Sequence, residues 1–536
     1  MLHHQSWKGS QKDSCLTFLL FLMVSWLLAS CTNDTIQKRD ITIEAFSDLK
    51  APVFEISPAK IYANIGKMGK VGKDSLSPVG KTALYYQEGN QLLWVSKMGV
   101  TSMADTLLHR LARVGEIGFT DTGFCVKEIK DDLQRFKDLD FDATHTVNDV
   151  IARLEYNLTK AYLTYVAGQQ YGFVNPKKAL NRIESKPDST GKVTVSFVNQ
   201  YDVALERPTH VFYDKALRRI LTDSVGQMMN EVEPQSPLYK KMLSQLADST
   251  SEADRKRILV NMERCRWKEK KPMPTTGKRV VVNVPAFMLY AIGTDSTMSM
   301  KIGCGTTRTK TPLLTSAIEY FQVNPEWNIP MSIINNDVVN HAGDSSYFAR
   351  HRYYIADRAT GQKVAIGSVT RAMLTSGKYR VSQDGGRGNS LGRIVFRFKN
   401  NFSVYLHDTS TPGFFQNSWR GVSHGCVRVQ RPFDLAHFLL GDVDDWTLDK
   451  IRISMDIAPV TEQGKEYLHS HEPEENENGR KLPHRLISYM PVKPHVPVYI
   501  IYYTVYPNPE TGSIDTYPDL YGYDKVIIDE MKTLLR

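Results

Sequence analysis

The sequence predicts an α+β protein whose two textures are segregated: a helical region over about 80–270, then a mainly β region from 278 onward. Three observations carry this. Apolar residues recur at helical spacing through the first region. From Lys278 they gather instead into short β-branched runs bounded by turn residues. No solenoid period runs through either part. Of 536 residues, 41% are apolar and 23% charged, which excludes a collagen, a disordered tail protein and a multi-span membrane protein.

At the N-terminus, Lys8 and Lys12 precede an apolar run of 13 residues, Leu16 to Leu28. That is short of the ~20 a spanning helix needs, so residues 1–30 read as a secretory signal. The run ends in Leu28-Ala29-Ser30-Cys31, which resembles a bacterial lipobox: cleavage before Cys31 and a diacylglyceride on its thiol. Residues 31–79 then read as a lipidated N-terminus and tether, and the expected location is the cell envelope, as a periplasmic, membrane-anchored lipoprotein.

In the helical region, Leu107, Leu108, Leu111 and Val114 follow the cap candidates Thr101-Ser102. A stronger stripe, Val147, Val150, Ile151, Leu154, Leu158, Ala161, Tyr162 and Tyr165, ends near Gly168 and reads as core. Helical texture resumes at 237–247 and 252–266. In the β region, Val280–Val284 and Met288–Ile292 read as a strand pair broken by Pro285, with further strands at about 298–303 and 317–323. The clearest hairpin runs from Arg393 to His407. Ile394, Phe396 and Phe398 alternate on one arm, Asn400-Asn401 turns, and Phe402, Val404 and Leu406 return on one face. Tyr405 and His407 then point the other way, into an expected cleft. Pro432 starts a short apolar helix that Gly441 ends. Residues 462–481 read as a solvated acidic loop, and Val498 to Val505 as a last strand.

The charge is +9, from 67 basic against 58 acidic residues, and loss of residues 1–30 leaves +8. A basic surplus suits nucleic acid, an acidic polymer or an anionic membrane. Export removes nucleic acid. Six cysteines are too few for a disulfide scaffold; of the four beyond Cys31, namely Cys125, Cys265, Cys304 and Cys426, any could pair in an oxidising envelope.

The chemistry lies in His407-Asp408-Thr409 and Ser423-His424-Gly425-Cys426-Val427-Arg428. A cysteine is a nucleophile as thiolate, so it needs a base in reach and a group to orient that base. His424, two residues from Cys426, is one candidate base. His407, 19 residues upstream at a strand end, is the better base. Gly425 lets backbone amides face a developing oxyanion.

His407, fifteen residues, then Ser423-His424-Gly425-Cys426 resembles the signature of the bacterial L,D-transpeptidases, whose catalytic domain is called YkuD-like. The flanks Val404-Tyr405-Leu406 and Val427-Arg428-Val429 and the lead-in Asn389-Ser390-Leu391-Gly392-Arg393 are similar too. Val323-Asn324-Pro325-Glu326-Trp327-Asn328-Ile329-Pro330-Met331-Ser332-Ile333, with Leu154-Glu155 through Gly172-Phe173-Val174-Asn175-Pro176, resembles the large, scaffold-containing branch. The resemblance covers roughly 80–536. One departure is that Ser236 to Trp267, 32 residues, is too short for the peptidoglycan-binding insert of many large members. Docking then falls to the lid, the cleft and general charge.

The resemblance implies a helical scaffold domain over 80–270 and a YkuD-like β-sandwich catalytic domain over 278–458. A lid over 331–385, rich in Tyr347, Phe348, Tyr353 and Tyr354, and a C-terminal loop and strand over 459–536 packing on the domain complete it. The lid aromatics suit substrate contact or a satellite apolar cluster equally. It implies a Cys426 nucleophile that attacks the third residue of a tetrapeptide stem, releases D-alanine and forms a thioester. An amine of another stem resolves that thioester to a 3→3 cross-link. His407 would move the protons and Asp408, or the backbone beside it, would orient His407. The amides of Gly425 and Cys426 would form the oxyanion hole, lined by Tyr405, with Ser423, His424 and Arg428 supporting the site. Implied partners are peptidoglycan stem peptides and, through the lipid, a membrane; no cofactor, metal or nucleic acid is expected. Carbapenems would acylate the same thiol. Water as acceptor would make an L,D-carboxypeptidase, and a protein amine a lipoprotein-anchoring transferase. A non-catalytic wall binder is the third alternative, and the sequence leaves the acceptor and the oligomeric state open.

Weaker signals rank below this. Gly385–Gly392 looks like a phosphate loop, but a strand follows it where a dinucleotide site needs a helix. His469, His471 and Glu472, or His407, His424 and Cys426, carry metal-ligand types without metallopeptidase spacing.

Overall fold

A serine followed by proline opens three helices. Ser57, Ser77 and Ser236 each accept a hydrogen bond from the amide three residues on, and Pro58, Pro78 and Pro237 fill first-turn positions whose N–H would be unpaired anyway. The computed structural model describes residues 51–69, 74–187, 193–475 and 484–535. The signal, Cys31 and most of the expected tether lie outside these. Within the segment 31–79, however, Pro58–Met68 is a helix with Ile61 and Ile65 buried, so the tether expectation is too long at its C-terminal end. The amphipathic spacing of Ile61 and Ile65 was the missed signal.

The described residues fall into two units. The first holds those up to Leu111, with Cys125–Leu163 and Tyr213–Gln227; the second holds Ala112–Phe124, Thr164–Phe212 and those from Met228. In the first, the side chain of Glu155 lies in the core. Its carboxylate accepts from the amides of Leu93, Trp94 and Val95 at 2.6–2.8 Å and from Tyr86 Oη at 2.7 Å. The helix carrying it, Val147–Tyr171, runs past Gly168 and ends before Gly172, whose φ of +88° suits glycine. Val114 does not extend Ser102–Leu111 but opens the 3₁₀ turn Val114–Ile117.

The second unit contains one nine-stranded sheet: β1 (Arg279–Asn283), β2 (Met288–Ile292), β3 (Thr297–Gly305), β4 (Leu314–Val323), β5 (Ile394–Phe398), β6 (Leu406–His407), β7 (Gly421–Ser423), β8 (Val427–Val429) and β9 (Tyr489–Ile501). The order is β7-β3-β8-β6-β5-β4-β9-β1-β2, and β2 also pairs with β3. The ladder therefore closes into a ring of eight strands with β7 attached to β3. This is the α+β order expected, helices first and a mainly β part after them.

Three local expectations need correction. The return arm of the Arg393–His407 hairpin is regular only at β6. Asn400 replaces the ladder: its amide nitrogen donates to the carbonyls of Phe398 and Val404, and its oxygen accepts from the amides of Phe402 and Val404. The last strand starts at Tyr489, not Val498, and lies inside the sheet between β4 and β1, so the C-terminal segment completes the sheet rather than packing on it. Pro491, Pro494 and Pro497 hide it from propensity rules, and a register shift between Pro491 and Val496 accommodates them. Finally, Glu462–Ser470 is a helix rather than loop, capped by Thr461 accepting from the Gly464 amide.

The lid segment forms its own three-stranded sheet from Trp327–Asn328, Tyr353–Asp357 and Tyr379–Gln383. Tyr347 and Phe348 are buried in its core with Ile355 and Val381, which decides for the apolar cluster over substrate contact at those two positions. Cys125, Cys265, Cys304 and Cys426 are all free, so none of the open pairings is made. Among the described residues no helix is long and apolar enough to cross a membrane.

Candidate active site

Strand pairing assembles the site. β6 and β8 run parallel with Leu406 opposite Val427 and His407 opposite Arg428. Side chains alternate along a strand, so His407 and Arg428 share a face, and Cys426, two before Arg428, joins them. Before Cys426 the chain turns at Gly425, whose φ of +123° is strained for any other residue. Ser423 Oγ staples this turn, donating to the Cys426 carbonyl at 2.5 Å and accepting from the Gly425 amide at 3.1 Å. The loop after β3 holds it from the other side. Thr309 Oγ1 donates to the Ser423 carbonyl at 2.8 Å and Thr311 Oγ1 to the Gly425 carbonyl at 2.9 Å.

Cys426 is partly exposed, and its sulfur lies 4.0 Å from the Ser403 carbonyl. Burial pushes its thiol above the ordinary range; the Tyr405 backbone and the guanidiniums of Arg397 and Arg428 pull the other way. His407 is 4% exposed, and its Nδ1 is buried with no hydrogen-bond partner. Burial, then Arg428, lower the imidazole to about 3, against smaller support from the backbone of Asp408 and Leu391. Both groups are thus neutral at rest: a thiol and an unprotonated imidazole, not an ion pair.

The remaining predicted residues take definite places. The Asp408 carboxylate accepts from the Arg393 amide at 2.8 Å, so the backbone beside it, rather than the carboxylate, faces the imidazole. The Gly425 amide is spent on Ser423, which corrects its assignment to an oxyanion hole and leaves the Cys426 amide for that task. Tyr405 is half-buried, its ring 6.1 Å from that of His407. Arg428 lies 5.7 Å from the Phe414 ring centre, and His424 is exposed. A cleft of about 560 Å³ is lined by Arg397, Asn400, Ser403 and Tyr405 among others; Tyr405 lines it as expected, His407 and Cys426 do not, and the thiol approaches it at Ser403.

Two contributors escaped the sequence reading. Arg397 stacks 4.3 Å from the centre of the Tyr405 ring and bears on both Cys426 and His407. Alternation alone would have found it, since it lies between Phe396 and Phe398 and therefore faces the opposite side. Thr311 carries no local signal, because its role depends on β3 meeting β7. Asn389, fully buried, donates to the Asp384 carbonyl and accepts from the Leu391 amide, shaping the glycine-rich loop that precedes β5. Among the described residues no group of three or more His, Cys, Asp or Glu side chains is placed to hold a metal.

The family model of the L,D-transpeptidase catalytic domain matches residues 277–474, and that of the Scaffold domain matches residues 81–246. A Haemophilus influenzae protein named "Putative L,D-transpeptidase" is 26% identical over 329 residues, covering 60% of this chain and 60% of that protein. The chain thus matches less than two thirds of that relative's length.

Proposed function

Because residues 277–474 match the L,D-transpeptidase catalytic domain and residues 81–246 the Scaffold domain, we propose that this chain is a cysteine acyltransferase of that family acting on peptidoglycan stem peptides. The observation that carries the reading is the free, partly exposed thiol of Cys426 on the face that β6 and β8 share with His407 and Arg428.

The steps follow from the neutral pair. The His407 imidazole takes the thiol proton as sulfur attacks the carbonyl of the third stem residue. The oxyanion is held by the Cys426 amide. The C–N bond to the terminal D-alanine then breaks, and the imidazolium returns its proton to the leaving amine, giving a thioester. An amine of a second stem attacks the thioester and forms a 3→3 cross-link, with the proton passing again through His407 to the thiolate. Arg397 and Arg428 favour the thiolate and disfavour the imidazolium, so the proton is held only briefly. A substrate carboxylate set against the Arg397 guanidinium, which lines the cleft, fits its charge.

Incubation of the protein with disaccharide tetrapeptides, followed by mass spectrometry, is expected to show a cross-linked dimer and free D-alanine, both lost in Cys426→Ala. Tripeptide alone would mean that water is the acceptor, and an active Cys426→Ala would sink the thiol reading altogether. The proposed place of work is the envelope, through a lipid on Cys31, with the +8 charge holding the protein near carboxylate-rich wall. Sacculus binding should then weaken as salt rises; salt-independent binding would count against the charge.

A further inference from the structure

The C-terminal tail reaches the nucleophile through Thr311. Thr311 is fully buried, and its hydroxyl has both roles filled: it accepts from the Gly305 amide at 2.9 Å, so its proton goes to the Gly425 carbonyl. Its amide donates to Tyr521 Oη at 3.1 Å, and Tyr521 Oη donates to the Gly305 carbonyl at 2.8 Å. Tyr521 and Thr311 therefore clamp Gly305 between them, at a place where a Cβ would meet the Thr309 carbonyl at 2.0 Å. The Tyr521 amide donates to Tyr502 Oη at 2.6 Å, and Tyr502 Oη donates to the Asp519 carboxylate at 2.6 Å. Hydrogen bonds, buried except at Asp519, thus link Asp519 through Tyr502, Tyr521 and Thr311 to the peptide group joining Gly425 and Cys426.

That peptide group is the one whose N–H belongs to Cys426. In a planar trans peptide, C=O and N–H point in opposite directions, so a donor that fixes the carbonyl also fixes the aim of the amide. Accepting a hydrogen bond at the carbonyl also polarises the group and strengthens its N–H as donor. The neighbouring Gly425 amide is occupied by Ser423, so the site's oxyanion donor on this turn is the Cys426 amide. We infer that Thr311 is a positioning residue that aims the Cys426 amide at the developing oxyanion, and that Tyr521, from the C-terminal tail, holds Thr311 in place. The inference rests on Cys426 being the nucleophile.

Thr311→Val keeps the side-chain shape and removes the hydroxyl. With a tetrapeptide stem as substrate, kcat should fall about tenfold to a hundredfold, part of what loss of one oxyanion donor costs. KM should hold. So should the rate at which iodoacetamide alkylates Cys426, read at that residue by mass spectrometry, because alkylation develops no oxyanion. Thr311→Ser should restore kcat. Wild-type kcat in Thr311→Val, an equal fall in alkylation, or no rescue by serine would each overturn the inference. If the valine variant does not fold, Tyr521→Phe decides by the same split, with a smaller loss expected in kcat alone and an unchanged kcat counting against it. Cys426→Ala separates the two levels. Activity in that variant defeats the nucleophile reading, whereas its inactivity beside a fully active Thr311→Val defeats only the role of Thr311.

Discussion

Glu155 in the helical unit and His407 in the sheet are both buried titratable groups, and they are treated in opposite ways. Glu155 accepts from three consecutive backbone amides and from Tyr86, which offset part of the cost of burying a carboxylate, although burial still lifts it above the ordinary range. His407 is left with an unpaired Nδ1 and with Arg428 in register beside it. A buried carboxyl group with its oxygens hydrogen-bonded holds architecture together. A buried imidazole with an unpaired nitrogen, on the face that carries the thiol, is suited to the proton transfer proposed for it.

Removing Glu155 should give the largest effect. Glu155→Ala leaves three buried amides without an acceptor and is expected to cost about 4 kcal/mol of stability. Urea unfolding measures this, and a loss below about 1 kcal/mol would mean that Glu155 is no keystone. His407→Gln should do the reverse, lowering kcat on a tetrapeptide stem by about a hundredfold or more while leaving the unfolding midpoint near wild type.

The next effect depends on pH. His407 sits at about 3 when folded, against ~6.5 when unfolded, so between those values the unfolded chain binds a proton that the folded chain refuses. Stability should therefore fall as pH drops through that window, and His407→Gln should flatten part of the fall. Parallel curves for the two proteins would mean the imidazole is not held neutral. Arg428→Met should have the smallest effect. Without the guanidinium the Cys426 thiol titrates higher still, and alkylation at pH 8 should slow measurably. An unchanged rate would leave Arg397 as the cation that matters.

Much of this site was legible from residue order. Period-two alternation on the hairpin placed Tyr405 and His407 opposite Leu406, and the Ser423–Cys426 run marked its own sharp turn. Both signals are local, because strand pleat and glycine backbone freedom act over two to four residues. Alternation could not reveal that His407 is buried on both sides, since that follows from β6 lying between β5 and β8. It also missed the first part of β9, residues 489–497, whose three prolines break the strand signal that its two neighbours override.

By itself the sequence determined the helical-then-β order, the candidate thiol and imidazole, and the glycine turn between Ser423 and Cys426. Only the tertiary structure decided which amide of that turn is free, that Asp408 turns its carboxylate to Arg393, and that Thr311 and Tyr521 stand behind Gly425. The reason is distance along the chain. Thr311 and Tyr521 lie 114 residues before and 96 residues after Gly425 or Cys426-proximal backbone in the numbering, and no local propensity links such positions. Hydrogen bonds between them exist because β3, β7 and the tail meet in space.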